Sequence, residues 1–225
     1  MSVKTSINNT FARLSAVTAV SLLAASPALS QGTELKVQHF PGLLTMAPIY
    51  VAKEMGIFEK NGLNVELIDI SSGTVAASAL TSNSVDIIQL TPSFMIDYNL
   101  KSPPSRAMMV SSTFSDLIYD LVGNKEIIDN CSAAKEPYPA PLTCLKGHKI
   151  GITALGSDNY FTTISFLNEG GMDENDVSLL ALGGSSVLGN SLRTGEADFI
   201  MATEPAVTYT SEILNISKKL LNLKD

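Results

Sequence analysis

The sequence carries one plan twice, and that repeat limits the possible fold more than any other feature. Residues 45–93 lie over residues 157–205 at a constant offset of 112, without a gap. Identity is confined to seven pairs: Val65/Val177, Leu67/Leu179, Val75/Val187, Leu80/Leu192, Asp86/Asp198, Ile88/Ile200 and Thr91/Thr203. What matches is the register of apolar runs, Gly/Ser turns and helix-like stretches. Ser71-Ser72-Gly73-Thr74-Val75 faces Gly183-Gly184-Ser185-Ser186-Val187, and Val85-Asp86-Ile87-Ile88 faces Ala197-Asp198-Phe199-Ile200. Two similar α/β lobes follow from this. Each offers Gly/Ser loops and helix N-termini at its strand ends, and two such lobes facing each other enclose a cleft for a small molecule.

The rest of the chain fits that plan. In the first lobe, strands are predicted at 35–39, 63–70, 85–90 and 107–110. Helices are predicted from about 46 to 55, from the 71–74 turn to 81, and after Thr91-Pro92-Ser93. Thr45 is the expected N-cap of the first helix, with Pro48 in its first turn and Gly56 as its stop. A crossing strand over about 117–123 leads to the second lobe. There, strands at 149–152, 177–182 and 197–202 alternate with helices running to about 169 and 194; Glu204-Pro205 opens a last helix, and a strand begins at 219. This alternation predicts an open α/β architecture with mostly parallel sheets.

The first thirty residues read as an export signal. Lys4 and Arg13 form a positive start, residues 14–25 an apolar stretch, and Ala28-Leu29-Ser30 a small-x-small cleavage site after Pro27. Twelve apolar residues span about 18 Å of helix, short of a ~30 Å hydrocarbon core. The domains are therefore 1–30 signal peptide, 31–112 first lobe and 113–225 second lobe. The first cysteine is Cys131, so no lipid anchor is expected at the cleavage site, and a soluble periplasmic protein is. Loss of Lys4 and Arg13 takes the formal charge from −7 to −9, which argues against nucleic acid or anionic membrane as partner. Cys131 and Cys144 bracket a Pro-rich stretch that reads as a surface loop, and in an exported protein a disulfide is their expected fate.

Further residues carry a resemblance. Ala47-Pro48-Ile49-Tyr50-Val51-Ala52-Lys53-Glu54-Met55-Gly56-Ile57-Phe58, followed by Gly62-Leu63-Asn64-Val65, resembles the opening of the nitrate/sulfonate/taurine-type (NMT1/THI5-like) substrate-binding proteins of ABC transporters. Leu145-Lys146-Gly147-His148-Lys149-Ile150-Gly151 and Gly195-Glu196-Ala197-Asp198-Phe199-Ile200, with Glu204-Pro205, are similar to that family's second-lobe signatures. The resemblance implies a type II periplasmic-binding fold whose two lobes close by hinge motion on a solute of the sulfonate, nitrate, taurine, pyrimidine or aromatic-acid class. It also implies delivery to an inner-membrane permease by a monomer without cofactor. Family members usually run further, so with the last residue at Asp225 the expectation is either a fragment or a shortened product, with the second lobe and return crossing incomplete, the first lobe lacking its last strands and helices, and apolar edges exposed.

Carried over position by position, the resemblance places ligand against Pro41, Gly42, Leu43, Thr45, Ser71, Ser72, Gly73, Thr74, Thr91, Ser93, Ser157, Asp158, Asn159, Tyr160, Gly184, Ser185, Ser186 and Glu204. The physical chemistry agrees, because each of these loops follows a strand and most lead into a helix with free N–H groups. After cleavage only Arg106 and Arg193 remain, neither of them in these loops, and the loops hold no lysine. A guanidinium clamp is therefore not expected: an anionic group would rest on helix N-termini and hydroxyls, or the ligand is neutral or aromatic. Phe40, Tyr160, Met46 and Met95 are candidate apolar walls, Glu204 a partner for a ligand amine or a cap of its own helix, and His39 a possible ligand contact. Asp86 and Asp198 are expected to set turn geometry, and His148 to be exposed.

Two other functions compete. The same fold includes a pyrimidine-precursor-synthase branch that uses an adjacent cysteine cluster with iron, whereas Cys131 and Cys144 are separated and lie outside the repeat. With two histidines and no G-x-S-x-G motif, neither a metal centre nor catalysis is expected. A ligand-sensing module is the other alternative.

Overall fold

Both halves of the repeat fold on the same hydrogen bonds. The computed structural model describes residues 32–101, 107–113 and 118–221; residues 1–30, read from sequence as a signal, Arg106, residue 117 of the predicted crossing strand and residues 222–223 of the last predicted strand lie outside them. In lobe 1, strand β1 (Thr33–His39) pairs parallel with β2 (Leu63–Asp69). Helices α1 (Ala47–Glu54), α2 (Ile57–Lys60), α3 (Gly73–Thr81) and α4 (Pro92–Lys101) belong to the same lobe. Lobe 2 is entered through β3 (Asp120–Asn124) and α5 (Lys125–Asn130). It is built from β4 (Lys149–Ile152), α6 (Asp158–Glu169), β5 (Ser178–Ala181), α7 (Ser185–Thr194) and β6 (Phe199–Ala202). It closes with α8 (Ala206–Thr208), a π-helical turn at Tyr209–Ile213 and β7 (Ser217–Lys219).

The repeat is visible in matching hydrogen bonds, at the offset of 112 for both aspartates and the turn before each, and one residue out of it for the lysine amides that the aspartates accept. Asp86 Oδ2 accepts from Lys36 N at 2.8 Å, and Asp198 Oδ2 accepts from Lys149 N at 3.0 Å. The carbonyl of Ala79 receives the Ser84 and Val85 amides, as that of Ser191 receives those of Glu196 and Ala197. Between them the chain turns through a left-handed residue, Asn83 at φ 55° in one lobe and Gly195 at φ 73° in the other. The two aspartates thus pin the start of one strand to its neighbour. His148 is not simply exposed: its Nδ1 lies 3.2 Å from Asp198 Oδ2.

Lobe 2 has the fuller sheet, in the order β5-β4-β6-β3-β7. Strands β5, β4 and β6 run parallel, while β3 is antiparallel to both β6 and β7, so the sheet is mixed. Alternation splits its apolar residues between two faces. Leu121, Phe199 and Met201 enter one cluster; Val122, Ile200 and Ala202 enter the other. The structure joins Cys131 to Cys144. The segment between them differs from the surface loop read from its composition. It forms 3₁₀ turns at Ser132–Lys135 and Ala140–Leu145, and Leu142 and Leu145 are fully buried in the first cluster.

Lobe 1 departs further from expectation. The predicted strand 85–90 is a single parallel bridge, Val37 to Ile87. Its reason is a buried side chain: Gln38 accepts the Gln89 amide at 3.0 Å and donates to Ile70 O at 3.1 Å, replacing ladder bonds on both sides. The predicted strand 107–110 is irregular, because the Asn99 side chain takes both backbone groups of Ala107. Thr45 does not cap α1; it sits in the 3₁₀ turn Leu44–Met46, and Met46 is the N-cap.

Candidate functional site

The cleft between the lobes is walled by strand ends and the helix starts that follow them, with one addition from the crossing segment. From lobe 1 come Phe40, Pro41 and Leu43 after β1, Ser71 and Gly73 after β2, and Gln89, Leu90 and Thr91 after the Ile87 bridge. From lobe 2 come Thr153 after β4, Ser157, Asp158 and Asn159 at the start of α6, Gly184 and Ser185 at the start of α7, and Met201 and Thr203 at the end of β6. Ile118 and Tyr119 enter from the crossing segment. This is where an α/β sheet presents helix N-termini to a ligand. The enclosed volume is about 70 Å³. That is well below the roughly 300–1,000 Å³ of drug-sized pockets, so the space suits a compact solute. The lobes are close: a methyl group added at Gly184 would lie 3.5 Å from Ser71 Cβ.

Two polar networks hold the lobe 2 wall. Asn159, 1% exposed, accepts from Thr153 N, Thr153 Oγ1 and Ser157 Oγ at 2.9–3.1 Å and donates to Met201 O at 3.1 Å. It ties the ends of β4 and β6 to the start of α6. Ser185 and Thr203 share a hydrogen bond of 2.8 Å that fixes α7 against β6. Ser157 caps α6 by accepting Tyr160 N. These groups shape the wall and satisfy one another.

Asp158 is different, because it bonds across the cleft. Thr91 of lobe 1 donates to its Oδ1 at 2.9 Å, and the Tyr119 hydroxyl also donates to it. Burial, then the Asp158 charge and this hydrogen bond, push the Tyr119 phenol above its ordinary range. Among the described residues lining the cleft, Asp158 is the one charged side chain. A compact anion about 4 Å away would be repelled by about 4 kcal/mol at an effective dielectric of about 20. A helix N-terminus returns about 0.3–1 kcal/mol when exposed and up to about 2 kcal/mol when partly buried. The α6 terminus already has Asp158 as its own first-turn acid, which leaves those of α3 and α7. Asp158 is thus the one full charge on the described lining, set against the partial positive charges at the starts of α3 and α7.

Of the residues selected from sequence, the structure brings together Pro41, Leu43, Ser71, Gly73, Thr91, Ser157, Asp158, Asn159, Gly184 and Ser185. Gly42 and Ser186 line a neighbouring hollow with Pro205 and Tyr209. Ser72 and Thr74 bond each other at 2.8 Å, and Tyr160 donates to Glu174 at 2.5 Å. Glu204 caps its own helix by accepting Thr208 N at 3.0 Å. The Thr45 hydroxyl is buried without a partner, and Ser93 lies on α4. Phe40 lines the cleft as an apolar wall, whereas Met46 is fully buried and His39 is held by Asp69 and Tyr50. Sequence reasoning did not select Gln89, Leu90, Ile118, Tyr119, Thr153, Met201 or Thr203. Thr203, the repeat partner of Thr91, was the one marked by a sequence signal.

Comparison with known proteins bears on this architecture. A family model described as the NMT1-like family matches residues 31–210. A protein of Bordetella bronchiseptica RB50 superposes with a TM-score of 0.66 at 24% identity, covering 85% of this chain and 57% of that one. The periplasmic nitrate-binding protein NrtA of Synechocystis PCC 6803 gives 0.65 at 17% identity, covering 85% and 51%. The alkanesulfonate-binding protein SsuA of Xanthomonas axonopodis pv. citri gives 0.58 at 15% identity, covering 86% and 62%. The chain thus spans less than two thirds of the length of these structures and shares their periplasmic-binding-protein fold. No curated protein matches it.

Proposed function

The chain belongs to the NMT1-like family, and from that premise we propose that it is the extracytoplasmic solute-binding component of an ABC importer. Exported by the segment 1–30, it holds a compact solute between its lobes in the periplasm and presents it to an inner-membrane permease. The observation that carries this reading is the cleft itself: strand ends of both lobes converge on one small cavity, and Thr91 reaches across it to Asp158. Similar structures described as nitrate- and alkanesulfonate-binding proteins support the role of solute carrier. No catalytic step enters this reading.

The test is thermal unfolding of the full chain alone and with a series of solutes: nitrate, alkanesulfonates, taurine, pyrimidines, aromatic acids, and small ammonium and guanidinium salts. A solute at a hundred times its Kd stabilises by about 2.7 kcal/mol, a shift of several degrees. A saturable shift with one solute class is expected. No shift with any of them, or turnover of a bound solute, would contradict the reading.

A further inference from the structure

The solute-binding reading leaves the chemistry of the solute open, and the Asp158 side chain narrows it. Its two partners, the Thr91 and Tyr119 hydroxyls, are neutral donors. A carboxylate has about four acceptor positions, and the described residues fill two of them. An oxyanion would need donors instead, and outside the Ser71 hydroxyl and the amides at the starts of α3 and α7 the described lining offers few. The hydroxyl protons of Thr91 and Tyr119 are directed at Asp158, and those of Thr153 and Ser157 at acceptors within their own network. Resting on the solute-binding reading, we infer that the cleft takes a compact cation carrying N–H donors, an ammonium, amidinium or guanidinium group, held by the Asp158 carboxylate, and that it rejects oxyanions of the same size. A planar N–H pair matches a carboxylate edge in two parallel hydrogen bonds, and the small cavity limits the body attached to it.

Guanidinium, urea and nitrate test this directly, being planar, of nearly equal size, and charged +1, 0 and −1. Isothermal titration calorimetry of the full chain with millimolar concentrations of each is expected to rank guanidinium above urea above nitrate, with roughly tenfold or more between the extremes. Asp158→Asn is expected to weaken guanidinium by roughly tenfold and to leave nitrate unchanged or improved. Tyr119→Phe keeps the carboxylate and is expected to keep the ranking, which supports the inference even if Asp158→Asn does not fold. If Asp158 only latches the lobes, both variants weaken all three probes in parallel, and the inference falls. Nitrate binding more tightly than guanidinium also overturns it. Binding of none of the three, while another solute shifts the melt, overturns the cation inference and leaves the solute-binding reading intact. Binding of no solute at all removes both.

Discussion

Lobes 1 and 2 share a hydrogen-bond plan but differ in how completely it is buried. Lobe 2 contains both apolar clusters of the described residues. The buried apolar residues of lobe 1 are Val37, Met46, Val65, Ala76, Val85 and Tyr98, while Leu44, Met55, Leu100, Met108 and Val110 are exposed. The difference begins in strand pairing. Strand β6 lies inside a five-stranded sheet and is buried on both faces, whereas its counterpart at 85–90 contributes one bridge. Equivalent sequence patterns thus reach different ends because neighbours decide whether a strand is completed. For function, the better-packed lobe carries Asp158 and its network, and the less consolidated lobe brings Thr91 to it.

Core truncation should separate the lobes most strongly. Ile150 and Met46 are both fully buried, one in each lobe. Ile150→Ala is expected to cost near the top of the usual 2–5 kcal/mol, and Met46→Ala near the bottom, because a thinner lobe relaxes into the space. Urea midpoints would show it; equal losses would break the comparison. Next comes the disulfide, which lies wholly in lobe 2. Replacing Cys131 and Cys144 together with serine is expected to cost up to about 3 kcal/mol, from the loop that the bond closes. Exchange of lobe 1 amides should hardly respond.

The repeat aspartates give a smaller contrast. Asp198→Asn is expected to destabilise by about 1.5–3 kcal/mol, since a charged acceptor is lost from a partly buried site. Asp86→Asn, at an exposed position, should cost less. Matching losses would mean that the two lobes are equally consolidated. At neutral pH the last contrast is silent, because it is a pH effect at the junction that shows only in alkali. The folded-state pKa of Tyr119 is raised, so the native protein holds this proton where the unfolded chain has released it. Its contribution is complete below the unfolded value of about 10 and declines by about 1.4 kcal/mol per pH unit above it. Tyr119→Phe should flatten that alkaline decline; an unchanged slope would show that Tyr119 is not buried against Asp158.

Much of the fold was legible in the sequence because register survives where identity does not. Helices α3, α6 and α7 begin beside the Gly/Ser loops that announced them. The strands missed in lobe 1 were illegible for a local reason: Gln38 and Asn99 use side chains where a ladder would use backbone, and apolar patterning carries no sign of that. The cleft was read in part. Loops named by the repeat supplied Ser71, Gly73, Asp158 and Ser185, while Tyr119 comes from the crossing segment, outside any repeated motif. The role of Asp158 depends on which donors meet it, and those lie 67 and 39 residues away in the chain.

The central claim is that strand ends of both lobes close on one solute. Amide hydrogen exchange of the full chain, with and without the solute that gives the largest melt shift, tests it most directly. Slowed exchange is expected at the start of α3 and at residues 89–94 in lobe 1, together with the starts of α6 and α7 in lobe 2. Slowing confined to one lobe, or located away from these strand ends, would contradict the account.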